Sequence, residues 1–176
     1  MNLESLTLLN VEIGTDGAAA IGTLCGGVGR RCNKLQIERS KITEDGCLAF
    51  ATGLCSNGQT AGGSMHLAEV RLIGCSLGRA GSTATAALAQ GLGTCRGLKT
   101  LFMVDINMQD SDAVAFAAGV LSSAKQNSPD TGHTTAPSSI CVGPLMLETL
   151  LLHNNVIGDR GARAVCSELV IARLYS

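Results

Sequence analysis

The sequence predicts an α/β fold in which five strand–helix units stack into a curved solenoid, with a parallel sheet on the concave face. Three observations support this prediction. Five segments share one spacing of apolar residues, and each is followed by an alanine-rich run with helical periodicity. The composition is also that of a globular domain, because 45% of the 176 residues are hydrophobic and 15% are charged.

Each unit is predicted to begin with a short strand. Counted from the first residue of the unit, apolar residues occupy positions 1, 4, 6 and 11. The units start at Leu3, Cys32, Leu67, Leu98 and Leu147. Positions 4 and 6 point to one side of a strand, and positions 3, 5 and 7 point to the other. We therefore expect the residues at position 4 to align on adjacent parallel strands: Leu6, Leu35, Val70, Leu101 and Leu150.

A helix is predicted after each strand and turn. Capping or acidic side chains, such as Thr43 and Asp110, stand where the free backbone N–H groups of a helix start favour them. Parallel strands lie about 4.8 Å apart and packed helices about 8–10 Å apart, so the array must bend with its strands inside. Small residues at the helix starts should let successive helices approach closely there: Gly17-Ala18, Gly46-Cys47, Gly81-Ser82 and Gly161-Ala162.

The chain is predicted to form one domain, residues 1–176. Insertions are expected at residues 56–65 and 122–146, because the second and fourth units are followed by the longest gaps. The insertion at 122–146 contains all three prolines and is expected to be flexible. Neither terminal unit carries a polar cap of the kind that repeat arrays need, so the domain is expected to be a partial array.

The fifth unit carries a family resemblance. Residues 147–162, with the sequence LETLLLHNNVIGDRGA, resemble the leucine-rich repeat of the ribonuclease-inhibitor class, and the resemblance covers the chain outside the two insertions. It implies a horseshoe-shaped leucine-rich-repeat solenoid. It also implies an Asn or Cys at position 9 whose side chain bonds the backbone of the turn. Asn155 and Cys75 match, Ser40 is a weaker substitute, and Val11 and Ile106 depart from the pattern.

Several functional classes are disfavoured by the sequence. A formal net charge of −1 argues against nucleic-acid binding, and no apolar run is long enough to span a membrane. The start of the chain has no signal-peptide pattern, which predicts an intracellular, cytoplasmic protein. The eight cysteines occur singly, so we expect reduced, buried thiols and neither a metal nor a cofactor. Residues 91–100 break the phosphate-loop spacing, and residues 105–116 lack the Gly and Glu of a calcium loop.

The concave face is the predicted functional surface. An aliphatic and aromatic stripe is expected to form its centre and polar residues its rim. The stripe consists of Ile73, Phe102, Val104 and Leu151. The rim consists of Arg39, Arg71, Asp105 and His153. The alternative is that the insertion or a neighbouring segment folds over the stripe and buries it.

The functional hypothesis is a non-catalytic interaction module or scaffold subunit that binds a protein partner through this face. The resemblance alone suggests an alternative, a regulator of a small GTPase similar to the Ran GTPase-activating protein. Residues that assist catalysis in that protein do not map onto this chain. An innate-sensor or cytoskeletal adaptor differs from these only in the sequences that flank the repeats.

Overall fold

The computed structural model describes residues 3–26, 32–58, 66–77, 82–95, 97–125 and 147–174. Strands and helices alternate through these residues, which makes the fold α/β. The elements in chain order are β1 (Ser5–Leu9), β2 (Glu12–Ile13), α1 (Thr15–Gly26), β3 (Lys34–Glu38), β4 (Lys41–Ile42), α2 (Glu44–Gly58), β5 (Glu69–Ile73), α3 (Ser82–Gly93), β6 (Thr100–Val104), α4 (Asp110–Lys125), β7 (Thr149–Leu151) and α5 (Asp159–Leu174).

The main sheet is parallel, and its strands follow the order β1-β3-β5-β6-β7. Its register confirms the predicted alignment of position 4, because Leu6 pairs with Leu35, Leu35 with Val70, Val70 with Leu101, and Leu101 with Leu150. A second, two-stranded parallel sheet joins β2 to β4 after the turns. This architecture is compatible with a strand–helix repeat fold.

The turn that follows each strand of the main sheet has the same backbone conformation. The residue at position 8 is left-handed in all five units, with φ values of 56°, 47°, 59°, 53° and 58°. These residues are Asn10, Arg39, Gly74, Asp105 and Asn154. Gly, Asn and Asp tolerate this conformation better than other residues do. Arg39 is therefore the exception in the row.

The core lies between the helices and one face of the sheet. Strand residues at positions 4 and 6, such as Leu35 and Met103, belong to the same buried cluster as the helix residues Leu54, Leu88 and Phe116. Each of these five residues is no more than 2% exposed. Burial alternates along the inner strands β3 and β5, which matches the predicted alternation of apolar and polar positions.

The outer units are less completely buried than the inner ones. Leu6 and Leu8 of β1 are only half-buried, whereas Leu35 and Ile37 of β3 are 0% and 2% exposed. The reason is that β1 has a neighbouring strand on one side among the described residues. The exposed large apolar residues of the described chain lie in the first and fifth units: Leu3, Leu9, Val11 and Val156.

Successive helices approach closely, at a predicted helix start in one place and in the middle of the helices in another. At the predicted Gly161, near the start of α5, an added Cβ would lie 2.9 Å from the Cβ of Ala113 in α4. A Cβ added at Gly22, in the middle of α1, would lie 2.3 Å from the carbonyl oxygen of Phe50 in α2. A Cβ added at Gly53 would lie 2.8 Å from the backbone of α1. By contrast, a Cβ added at Gly17 would meet only the side chain of Ile13, at 3.6 Å. The contact between α1 and α2 is therefore tight at Gly22 and Gly53 and loose at the predicted Gly17.

Two helix starts show how capping operates. The hydroxyl of Thr43 accepts a 3.1 Å hydrogen bond from the Gly46 N–H and caps α2, as the sequence predicts. Asp110 instead reaches the next unit, where its Oδ1 accepts hydrogen bonds from the N–H groups of Gly158 at 2.7 Å and Gly161 at 2.9 Å. Asp110 therefore ties the start of α5 to the start of α4.

The expected insertions fall largely outside the described residues. Helix α2 runs to Gly58 and α4 runs to Lys125, so both helices continue into the stretches expected to be loops. Residues 59–65 and 126–146 lie outside the described part of the chain. In the described ranges, we find no helix with the length and apolarity needed to cross a bilayer.

Candidate functional site

We call the sheet surface formed by positions 3, 5 and 7 the open face, because it lies opposite the helix-covered core. Its side chains in the second to fifth units are Lys34, Gln36, Glu38, Glu69, Arg71, Ile73, Thr100, Phe102, Val104, Thr149, Leu151 and His153. Most of them are half-buried, since neighbouring side chains on a sheet cover each other's flanks. The open face contains the predicted stripe together with charged residues.

A chain of charged contacts crosses three strands of the open face. Lys34 on β3 is paired in register with Glu69 on β5, and their Nζ and Oε1 atoms lie 3.4 Å apart. Arg71, two residues along β5, donates its Nε–H to the same carboxylate oxygen. The guanidinium carbon of Arg71 lies 4.6 Å from the centre of the Phe102 ring on β6. The carboxylate of Glu69 therefore holds both cations, and the Phe102 ring supports Arg71 from the other side.

The net charge of Lys34, Glu69 and Arg71 together is positive. Two cations, Lys34 and Arg71, share the single carboxylate of Glu69, which leaves one net positive charge. The side chains of Lys34, Glu69 and Arg71 are 33%, 25% and 32% exposed, so water screens them only partly. The nearby carboxylate of Glu38 accepts a 2.6 Å hydrogen bond from the amide of Gln36. The positive charge is thus concentrated at positions 3 and 5.

The apolar stripe lies beside the charged chain. Phe102 is paired in register with Arg71 on one side and with Leu151 on the other, so the three form one row across β5, β6 and β7. Ile73 is half-buried and is paired with Val104. The sequence led us to expect that solvent would wet Val104, but it is only 8% exposed. The accessible part of the stripe consequently consists of Ile73, Phe102 and Leu151.

Three residues of the predicted polar rim, Arg39, Asp105 and His153, follow the carboxyl ends of the strands, whereas the fourth, Arg71, lies in the middle of β5 against the Phe102 ring. Arg39 and Asp105 are exposed and flank Gly74, with Arg39 Cγ 3.5 Å and Asp105 Oδ2 3.8 Å from the point where a Cβ on Gly74 would stand. No ion pair joins Arg39 to Asp105 in the described structure. The carbonyl of His153 accepts a 3.2 Å hydrogen bond from the Asp105 N–H, and its side chain is exposed. Arg39, Asp105 and His153 are therefore exposed at the carboxyl-terminal edge of the open face, whereas Arg71 lies within it beside Phe102.

Sequence reasoning missed Glu69 as a site residue. This carboxylate connects Lys34 to Arg71 and so fixes the cation that covers Phe102. A signal for it was present, because Glu69 stands opposite Lys34 in the predicted register and two residues before Arg71 on the same face of β5.

The side chains at position 9 bind neighbouring backbone, as the resemblance implies. The amide of Asn155 donates 2.7 Å hydrogen bonds to the carbonyls of Met103 and Leu152, and its oxygen accepts from the N–H groups of Ile106 and Met108. These bonds link the last described turn to the preceding one. Where apolar residues replace Asn at this position, Val11 is exposed and Ile106 is buried in the core.

Ser40 and Cys75 make corresponding contacts in the inner units. The Ser40 hydroxyl donates to the carbonyl of Glu38 at 2.8 Å and accepts from the N–H of Val11 at 3.2 Å. The Cys75 thiol donates to the carbonyl of Ile37 at 3.1 Å. The bonds to Val11 and Ile37 each join one unit to the unit before it, so position 9 stabilises the stacking.

The described cysteines are free, and most of them are buried. Buried thiols are found at Cys25, Cys32, Cys47, Cys75 and Cys95. Cys55 is half-buried and Cys166 is exposed, which departs from the expectation that all are buried; Cys141 lies outside the described residues. Burial raises the pKa of Cys47 to about 11 and that of Cys95 to about 12, so these thiols are neutral at pH 7 and poorly nucleophilic.

Other binding chemistry finds little support in the described residues. Among them, no three His, Cys, Asp or Glu side chains are grouped so that they could hold a metal ion. A cavity of about 10 Å³ lies between the sheet residues Ile37 and Leu72 and the helix residues Phe50 and Leu88. A cavity of this size has room for at most about one water molecule, and its apolar lining favours a dry space. It does not offer room for an organic ligand.

Comparisons with known proteins leave the fold and the surface as the basis for a functional assignment. The chain matches no model of a known protein family, and no curated protein matches its sequence. The class that its geometry defines is an α/β protein with a five-stranded parallel sheet and, among the described residues, five helices.

Proposed function

We propose that this chain is a non-catalytic interaction module, a leucine-rich-repeat solenoid that binds a protein partner through its open face as part of an intracellular assembly. The observation that carries the proposal is the row Arg71, Phe102 and Leu151. In this row an aromatic ring and an aliphatic side chain remain accessible on the face opposite the core.

The composition of the row is typical of an interface. Aromatic and Arg side chains are enriched at the centres of protein interfaces, and contiguous apolar groups are seldom left open on a monomer. The contacts of Arg71 with Glu69 and with the Phe102 ring hold both side chains in fixed positions. Little side-chain entropy therefore remains to be lost on binding. The buried thiols have raised pKa values, which disfavours nucleophilic catalysis by them.

A capture experiment with three forms of the chain tests the proposal. The forms are the wild type, the double variant Phe102→Asp/Leu151→Asp, and Thr7→Asp. Thr7 is the matched control, because it holds position 5 of the first unit, on the same face but two strands beyond Arg71. Each form is immobilised, exposed to extract from cells that express the protein, and analysed by mass spectrometry after its fold is checked by circular dichroism.

We expect the wild type and Thr7→Asp to retain the same proteins and the double variant to lose them. Equal capture by the double variant, or no specific capture by the wild type, contradicts the proposal. If the double variant unfolds, the milder pair Phe102→Ala/Leu151→Ala replaces it. Unfolding of that pair as well favours the alternative in which another segment of the chain covers the stripe.

A further inference from the structure

We propose that the partner presents a carboxylate side chain to Arg71 and an adjacent apolar side chain to Phe102 and Leu151. This inference rests on the proposed function and specifies the chemistry of the partner, a polypeptide segment that combines Asp or Glu with an apolar residue. The orientation of the Arg71 guanidinium and the charge around it determine which group it binds.

The guanidinium of Arg71 is held on two sides. Its Nε–H is bound by Glu69, and its carbon lies 4.6 Å from the centre of the Phe102 ring. In the described structure, its two terminal nitrogens make no hydrogen bond. A planar fork of N–H groups held in this way matches the two oxygens of a carboxylate. The ring beneath the guanidinium also reduces the motion that binding would otherwise have to arrest.

Charge determines the sign of the group that this fork accepts. Lys34 and Arg71 share one carboxylate, so the group at positions 3 and 5 retains one net positive charge. The carboxyl-terminal edge of this surface carries two carboxylates, Glu38 and Asp105, and one cation, Arg39, so its charge is net negative by one. An incoming carboxylate is therefore attracted toward Arg71 and Lys34 in preference to the carboxyl-terminal edge.

The row Arg71, Phe102 and Leu151 also determines where the apolar residue of the partner segment binds. From Gln36 through Arg71 to Phe102 and Leu151, the side chains at position 5 change from polar to apolar. Neighbouring strands are about 4.8 Å apart, so Arg71 and Leu151 are separated by about 10 Å. Thr100 and Thr149 at position 3 are small enough to leave Phe102 and Leu151 accessible from that side. The two features of the partner segment must therefore lie within about 10 Å of each other.

Selection from a library of random twelve-residue peptides displayed on phage, with the wild-type chain immobilised, tests the inference. We expect enriched sequences to combine Asp or Glu with a nearby Leu, Ile, Met or Phe. A synthetic version of an enriched peptide with its acid changed to the amide should bind about tenfold more weakly, the usual difference for a charged hydrogen bond. Binding should also weaken between 50 mM and 500 mM NaCl.

Variants of the chain show whether Arg71 is the contact. Arg71→Gln should weaken binding of the acidic peptide about tenfold and leave binding of its amide version unchanged. Arg71→Lys should give an intermediate loss, because it keeps the charge and loses the planar fork. Lys41→Gln is the control, since Lys41 is an exposed cation that is paired with Glu12 on the small sheet. It should bind like the wild type.

The possible outcomes separate this inference from the proposed function. Peptides whose binding is abolished by Phe102→Asp use the open face. If such peptides carry no acidic residue, or if Arg71→Gln does not weaken their binding, the inference is wrong and the proposed function stands. If no peptide is enriched, or if peptide binding survives Phe102→Asp, the inference is wrong, and the capture experiment from extract decides the proposed function separately. Circular dichroism and thermal unfolding of each variant confirm that a loss of binding is not a loss of fold.

Discussion

The side-chain amide of Asn155 donates a 2.7 Å hydrogen bond to the carbonyl of Met103, a residue of the preceding strand of the sheet. The same amide bonds the carbonyl of Leu152 in its own unit, and its oxygen receives the N–H groups of Ile106 and Met108. One side chain thereby joins two turns that are separated by residues 126–146, which lie outside the described structure. It therefore adds to the attachment of the fifth unit that the β6–β7 pairing and Asp110 also provide.

Replacing Asn155 with Ala should destabilise the protein. The change removes hydrogen bonds to four backbone groups, and each bond contributes about 1 kcal/mol, so we expect a loss of about 2–4 kcal/mol. Urea unfolding followed by circular dichroism measures the loss. Asn33→Ala is the control, because Asn33 is exposed and its described hydrogen bonds involve only its backbone. Equal stability of the two variants contradicts the role of Asn155.

The left-handed backbone at Arg39 predicts a stabilising substitution. Its φ of 47° is costly for most residues, by roughly 1 kcal/mol, and less so for Asn, which holds the same position at Asn10 and Asn154. Arg39→Asn should therefore be more stable than Arg39→Ala by about 0.5–1 kcal/mol. Comparing these two variants separates backbone strain from loss of the Arg side chain. Identical unfolding midpoints for Arg39→Asn and Arg39→Ala would show that the conformation costs nothing.

The close contact between α1 and α2 predicts opposite effects for two Gly→Ala changes in one helix. At Gly22 the new Cβ would meet the Phe50 carbonyl at 2.3 Å, so the helices must separate at a cost of about 1–3 kcal/mol. At Gly17 the Cβ finds space, and the greater helix propensity of Ala should stabilise the protein by about 0.5 kcal/mol. Thermal unfolding of both variants checks the contrast. A neutral Gly22→Ala would mean that the helices lie farther apart.

Stability should fall at alkaline pH because of the buried thiols. Burial, followed by the nearby Cys75 and Glu44, raises the pKa of Cys47 from 9.0 to about 11. The unfolded chain thus releases this proton first, so the stabilisation is complete below pH 9 and is lost as the pH rises through about 11. Between pH 9 and 10.5, Cys47→Val should lose about 1–2 kcal/mol less than the wild type.

Urea unfolding under reducing conditions across this pH range measures the effect. The exposed Cys166 supplies the control, since Cys166→Ser should follow the wild-type curve. If Cys47→Val declines as steeply as the wild type, the buried thiol is not the cause of the alkaline loss.

The sequence predicted the register of the sheet because apolar residues recur at positions 4 and 6. A slip of one residue would place all of them on the open face, so the pairing of Leu35 with Val70 follows from the pattern alone. The Gly residues at the helix starts predicted the close approach of α4 and α5 at Gly161 but not the point where α1 meets α2. That point depends on how each helix is rotated and where the axes cross, and it falls at Gly22 and Gly53.

The candidate site was only partly predictable. Its row of Arg71, Phe102 and Leu151 follows from the position numbers, and the register places these residues side by side. The pairing of Glu69 with two cations requires side-chain conformations that no periodicity specifies. The burial of Val104 likewise depends on the side chains that surround it. The position of Val104 within its unit does not specify those neighbours.

By itself, the sequence determined the alternation of strands and helices, the faces of the strands and the order in which the strands pair, because side chains alternate with a period of two along every strand. The tertiary structure alone decided the left-handed turn at Arg39, the crossing of helices at Gly22, and the use of Asp110 to cap the helix of the next unit. These features arise from contacts between units, and contacts of that kind depend on distances in space that the local pattern of residues does not contain.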